Sequence, residues 1–315
     1  MAKVAVVGAG LIGRAWVISF ARAGHDVMVA DSVPAALDNA LAFVDSVLPD
    51  LARYDLLEGQ SPGEVRRRIA TTTDLAKALA GAVHVQENAP EKIEVKRSLF
   101  PELDRLAPPD AVLASSTSAL LPSAFTGEVK GRARCLVVHP INPPYLVPAV
   151  EVVPAPWTDA AVVARTADFM TRAGQAPIVM KREIDGFVMN RMQGALLEEA
   201  FRLVADGYAT IEDIDVGLRE GLALRWSFMG PFETIDLNAP GGVRDYVERY
   251  QGMYEAMFPQ MQRRVDWAGP WLAEIERTRR EKAPADTLVE RQKWRDRRLM
   301  ALAAHKRRAA RDIGH

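Results

Sequence analysis

The chain has 315 residues, of which 49% are hydrophobic and 26% charged, with a formal net charge of -1. That length suits about two domains, and the charge balance gives no whole-molecule reason to expect a nucleic-acid or membrane partner. The single cysteine, Cys135, excludes an intrachain disulfide and a cysteine-rich metal site, so no metal is expected and the cytoplasm is the expected compartment.

In chain order, residues 3–7 already read as a buried strand, with no signal-peptide run before them, and no later stretch reaches membrane-spanning length. Up to about Lys181, short apolar runs alternate with helical patterns, which predicts a mostly parallel sheet covered by helices. The expected strands are 4–7, 26–30, 83–87, 112–115, 135–139, 150–153 and 176–180. Helices are expected to begin near Leu11, Pro34, Pro62, Leu75, Lys92 and Ala160, with a helical hairpin after Phe43. The run Pro140-Ile141-Asn142-Pro143-Pro144 should stop a strand, so His139 is expected to end one and face a loop.

Beyond Lys181 the strand signals disappear. Helices are expected over about 186–206, 211–221, 231–238, 242–257, 270–280 and 286–310, with Gly207, Gly221 and the stretch 239–242 as stops. The fold class is therefore α/β, a Rossmann-type domain over 1–183 followed by an all-helical domain over 184–315. Arg291 to Arg311 is rich in basic residues, but Asp286, Glu290, Asp296 and Asp312 are interspersed, as on a solvated helix face.

The first strand runs into Gly8-Ala9-Gly10-Leu11-Ile12-Gly13, which opens a helix. In that context Gly8 permits a tight turn, Gly10 lets backbone approach a pyrophosphate, and Gly13 allows close helix–strand packing. The N–H groups at the helix start, from Leu11 and Ile12 onward, suit phosphates. Asp31 ends the second strand, where a carboxylate accepts hydrogen bonds from the adenine ribose of NAD and repels the extra phosphate of NADP. A ligand-free glycine turn or a flavin site is the alternative.

Of five histidines, His25, His305 and His315 fall in turns or the tail, and His84 reads as a packing residue within a strand. His139 differs by standing where open α/β sheets place their ligands. Imidazole titrates near neutrality, so it suits a general base for alcohol oxidation. Glu151, inside the apolar run Val150-Glu151-Val152-Val153, could orient it, since an unpaired buried carboxylate is costly. A surface glutamate on an edge strand is the other reading. Ser118 could bond the substrate oxygen or simply cap a helix, and Asn190 could polarise a forming carbonyl or be surface polarity.

Together these residues resemble the 3-hydroxyacyl-CoA dehydrogenase superfamily from end to end, and within it most resemble the gulonate 3-dehydrogenase, or lambda-crystallin, branch. The resemblance implies Ser118, His139, Glu151 and Asn190 as catalytic positions. It implies Gly8, Gly10, Leu11, Ile12, Gly13, Asp31, Glu91, Lys96 and Asn142 as contacts to NAD. It also implies a homodimer formed through the helical domain. Three features suggest a small hydroxy acid as substrate: acidic residues Asp45, Asp50, Asp55 and Glu58 that would repel a CoA phosphate, the segment from Leu224 to Pro231, which resembles the gulonate type and whose Arg225 could hold a carboxylate, and an ending from Pro284 to Asp296 that resembles that of the same branch. Gulonate is expected first, then a 3-hydroxyacyl-CoA ester, then carnitine. A crystallin-like structural protein and a non-catalytic NAD-binding module are the non-enzymatic alternatives.

Overall fold

Short apolar strands that are buried on both faces decide the first part of the chain. The computed structural model describes residues 2–314, so Met1 and His315 lie outside the described residues. Eight strands form one sheet: β1 (Lys3–Val7), β2 (Asp26–Ala30), β3 (Ile69–Thr72), β4 (His84–Glu87), β5 (Val112–Ser115), β6 (Cys135–Pro140), β7 (Ala149–Pro154) and β8 (Ala176–Val179). Their order is β3-β2-β1-β4-β5-β6-β7-β8, and every neighbouring pair is parallel except β6–β7.

Side chains alternate between the two faces of a strand. Val4, Val6, Leu136 and Val138 therefore enter one core, while Ala5, Val7, Cys135 and Val137 enter the other. Helices supply both covers: α1 (Leu11–Arg22), α2 (Pro34–Arg53), α3 (Pro62–Arg66), α4 (Leu75–Leu79), α5 (Ile93–Leu106), α6 (Pro122–Thr126) and α7 (Ala160–Arg172). This double cover explains why the strands read as continuous apolar runs.

Several expectations need correction. The sequence reading missed β3, because only Ile69 of its four residues carries a strong apolar signal. It also missed α6, whose five residues are too few to show a period. Strand β6 continues through Pro140, paired with Val150, because a terminal proline forfeits only one donor. In place of the hairpin expected after Phe43, helix α2 runs on through Phe43 to Arg53, and Asp55 and Glu58 lie in the turn beyond it.

The later helices are α8 (Met189–Ala205), α9 (Ile211–Val216), α10 (Ala223–Trp226), α11 (Pro231–Leu237), α12 (Gly242–Met261), α13 (Trp271–Lys282) and α14 (Leu288–Ile313). A π-helical stretch, Gly217–Leu222, joins α9 to α10. Helix α8 starts later than expected because Gly186 and Phe187 take left-handed backbone, at φ +76° and +50°. The chain divides into two compact units, Met1–Met189 with Asp296–His305, and Asn190–Arg295 with Lys306–His315. Within the second, the buried Arg202 guanidinium donates to the Arg263 carbonyl, and Phe201 stacks on Trp267. Among the described residues no helix is long and apolar enough to cross a membrane.

Candidate active site

The glycine loop leaves β1 at Gly8, whose φ of +95° suits glycine. A Cβ on Gly8 would lie 2.8 Å from the Asn88 carbonyl oxygen, and one on Gly13 only 1.9 Å from that of Gly8. A Cβ on Gly10 would meet nothing within 4 Å. The first and third glycines are thus required by the protein's own packing, whereas the second keeps open space at the N-terminus of α1. No side chain caps that terminus, which begins with the exposed Leu11 and the half-buried Ile12, so its N–H groups suit an anion.

Asp31 follows β2, with Oδ2 accepting from the Ala9 N–H at 2.8 Å and Oδ1 from the Val33 N–H at 2.9 Å. Gly8, Gly10, Asp31, Ser32, Thr73 and Asn88 line one cavity of about 510 Å³. Its size, the open cradle at Gly10 and the carboxylate at the end of β2 fit the adenosine and pyrophosphate portions of NAD.

Glu91 and Lys96 stand differently. The Glu91 Oε1 atom accepts from the Thr117 hydroxyl at 2.5 Å and the Ser118 N–H at 2.9 Å, so it fixes the loop that carries Ser118. Lys96 is 1% exposed, and its ammonium donates to Glu87 at 2.6 Å and to the Ala89 carbonyl at 2.9 Å. Glu87 also accepts from the Ser115 hydroxyl and the Ala89 N–H. A buried charge pair is tolerable only with such further hydrogen bonds. Together these bonds support the Asn88–Pro90 edge of the cavity from beneath.

His139 and Glu151 are register partners in the antiparallel β6–β7 ladder, and directly opposed residues share a face of the sheet. Nδ1 of His139 lies 2.6 Å from Glu151 Oε2, and Oε1 of the same carboxylate accepts from Val188 and Met189 N–H at 2.6 and 2.9 Å. Glu151 is fully buried and β7 lies inside the sheet, flanked by β6 and β8. The edge-strand reading is therefore excluded. With Nδ1 donating to the carboxylate, Nε2 is the nitrogen left to accept a proton. The Phe187 ring, fully buried, packs against the imidazole at 5.7 Å between centroids.

Ser118 is exposed in the loop after β5, and Asn142 is exposed in the loop after β6. Asn190 is the second residue of α8 and Arg225 lies exposed in α10, both in the second unit. Cys135 is buried, and burial pushes its thiol up to about 12, which keeps it out of the chemistry.

Sequence reasoning missed Glu87, Phe187 and a polar layer joining β4, β5 and β6. In that layer the Gln86 amide donates to the Ser116 hydroxyl at 2.7 Å and to the Val138 carbonyl at 3.1 Å, next to His139. Ser116 in turn donates to Asn88 at 2.8 Å. Only the polar Gln86-Glu87 pair at the end of a short strand could have signalled it.

Residues 3–184 match the family model described as 3-hydroxyacyl-CoA dehydrogenase, NAD binding domain, and residues 186–270 match that family's C-terminal domain. The chain is similar to a lambda-crystallin homolog from Bos taurus, 41% identical over 95% of this chain and 94% of that one. It is also similar to an L-carnitine dehydrogenase from Streptomyces coelicolor, 42% identical over 79% of this chain and 77% of that one. Among solved structures, an NAD+-dependent 5-formyl-3-hydroxy-2-methylpyridine 4-carboxylic acid 5-dehydrogenase superposes with a TM-score of 0.82 at 26% identity, covering 96% of this chain and 97% of that one. The 3-hydroxybutyryl-CoA dehydrogenase of Escherichia coli gives 0.66 at 30% identity, over 80% of this chain and 53% of that one. The chain belongs to the 3-hydroxyacyl-CoA dehydrogenase family and is an NAD-dependent hydroxy-acid dehydrogenase.

Proposed function

We propose that the chain oxidises the 3-hydroxyl of a small hydroxy acid, foremost L-gulonate to 3-dehydro-L-gulonate, with His139 as general base. The observation that carries the reading is the buried His139–Glu151 pair, whose carboxylate is itself fixed by two backbone N–H groups. Bound NAD+ supplies the hydride acceptor. Nε2 of His139 takes the hydroxyl proton, and Glu151 stabilises the resulting imidazolium. Ser118 and Asn190 donate to the oxygen as it becomes a carbonyl. Arg225 holds the substrate carboxylate through a two-pronged hydrogen bond. Asn142 stands by the nicotinamide, Asp31 by the adenine ribose, and Glu91 and Lys96 hold the loops between them.

Similarity to the lambda-crystallin homolog over 95% of the chain supports gulonate. A second reading, L-carnitine, is favoured by 42% identity to a carnitine dehydrogenase. It moves ahead of a CoA ester, whose solved enzyme is 30% identical. Asp45 pairs with Arg66 and Asp50 with Arg297, which offsets part of the negative charge that would repel a CoA phosphate. A structural crystallin-like role or a purely NAD-binding role has no use for an oriented, buried histidine. The proposal includes a cytoplasmic homodimer formed through the helical domain of residues 184–315. Phe228, Phe232 and Leu237 are 68%, 79% and 68% exposed there and would gain from burial.

The test is NADH formation from L-gulonate, L-carnitine and L-3-hydroxybutyryl-CoA, each offered alone with NAD+. The highest kcat/KM with gulonate supports the proposal. Preference for either other substrate keeps the chemistry and removes the substrate assignment.

A further inference from the structure

The loop from Ile141 to Pro148 follows His139, carries Asn142 and returns the chain to β7. Pro143, Pro144 and Pro148 have no N–H to donate. Inside the loop, the Leu146 and Val147 N–H groups both go to the Pro143 carbonyl. The remaining restraint comes from outside it. Arg22 of α1 donates to the Tyr145 carbonyl at 3.1 Å, and Gln175 donates to that of Pro144 at 3.2 Å. The Tyr145 side chain is 2% exposed, sits edge-on to Phe43 of α2, and donates its hydroxyl to Asp296 Oδ2 at 3.2 Å.

Asp296 belongs to the stretch of α14 that returns to the nucleotide-binding unit. Met300, one turn further, is 2% exposed in the same core as Tyr145 and Leu146, with Leu299 and Ala303 packed against it. Arg297 adds an ion pair to Asp50 at 2.9 Å. The family-model matches end at residue 270, so this whole contact is made by chain beyond them.

We propose that Tyr145 and Asp296 are a positioning pair through which the C-terminal helix holds the loop after His139, making that helix part of the active-site architecture. The inference deepens, and rests on, the reading of His139 and Asn142 under the proposed function. Ordering a loop of several residues costs conformational entropy, and anchoring it in advance spares the enzyme that cost during turnover.

The experiment compares Tyr145→Phe, Asp296→Ala, Asp296→Asn and the Tyr145→Phe/Asp296→Ala pair in the full chain. Each is assayed on whichever of the three acids the native enzyme oxidises fastest, well below its melting temperature. Tyr145→Phe and Asp296→Ala should each lower kcat about fivefold, the weight of one ordinary hydrogen bond. KM for NAD+ and binding of ADP-ribose should stay within about twofold, because the Asp31 side is untouched. Asp296→Asn keeps an acceptor and should rescue most of the loss, and the double variant should be no worse than either single. Amide exchange in residues 141–147 should quicken in the two damaging variants. Unchanged kcat in both, or losses that multiply in the double variant, would overturn the proposal. If the native enzyme oxidises none of the three acids, the substrate reading fails. The exchange result then decides alone, with unchanged rates overturning the positioning role and faster rates supporting it.

Discussion

One carboxylate, that of Glu151, faces His139 Nδ1 at 2.6 Å with one oxygen and accepts the N–H groups of Val188 and Met189 with the other. The β6–β7 strand pair is thereby tied to the turn that begins α8. The turn itself is unusual: Phe187 holds a φ of +50° while its ring covers the imidazole. Non-glycine residues in that region are uncommon and concentrate at sites where the surroundings over-determine them.

Glu151→Gln tests that geometry. Two backbone donors require the amide oxygen on their side, which turns the amide nitrogen toward His139. Nδ1 must then accept, and the proton moves to Nε2, where a base needs a lone pair. Turnover should fall by about 10²–10⁴-fold, the range for losing a general base, with the fold and NADH binding retained. Steady-state kinetics together with an NADH binding titration check this.

Asp31→Asn removes the charge while keeping one acceptor for the loop N–H groups. KM for NAD+ should rise about tenfold, in line with loss of a charged hydrogen bond. The preference for NAD+ over NADP+ should narrow by at least as much, because the carboxylate no longer repels the 2′-phosphate. The ratio of kcat/KM values for the two cofactors is the measurement.

Gly10→Ala and Gly13→Ala should fail in different ways. At Gly13 the added methyl would sit 1.9 Å from backbone, so the protein itself must shift and its melting temperature should drop. At Gly10 nothing of the protein lies within 4 Å. That variant should melt like the native chain yet bind NADH at least tenfold more weakly, a loss of about 1.4 kcal/mol. Thermal melts paired with NADH titrations separate the two.

His84 gives the fold an acid-side weakness. Burial pushes its imidazole down to about 4, where it stacks on Phe169 and bonds Gln86. Unfolded, it titrates near the ordinary histidine value of about 6.5. Above that pH both states are neutral and nothing is lost. As pH falls from there toward 4, the unfolded chain takes up the proton first, so stability declines by up to about 3 kcal/mol and then levels off. Urea unfolding from pH 7 to 4 should show this slope, and His84→Gln should flatten it.

The sheet was legible wherever a strand is buried on both faces, since Val4 to Val7 and Cys135 to Val138 leave little other reading. The short β3 at the sheet edge was not, because three of its four residues carry little apolar signal. His139 and Glu151 could be named from a histidine at the border of an apolar run and a proline-rich segment and from an acid within an apolar run. Their opposition across an antiparallel ladder could not, because register depends on the length of the loop between them. Glu91 and Lys96 were legible only as contacts to NAD; their bonds to Thr117 and Ser118, and to Glu87 of β4 and the Ala89 carbonyl, were not. The contact of α14 with Tyr145 joins residues 151 positions apart, and no local pattern encodes such a pairing.

The most direct test of the account is turnover by His139→Gln, measured beside the native enzyme on its best hydroxy acid with folding and NADH binding confirmed. NADH should bind normally while kcat falls by about 10²–10⁴-fold. Turnover within a few-fold of native would contradict it, because some other group would then be removing the proton.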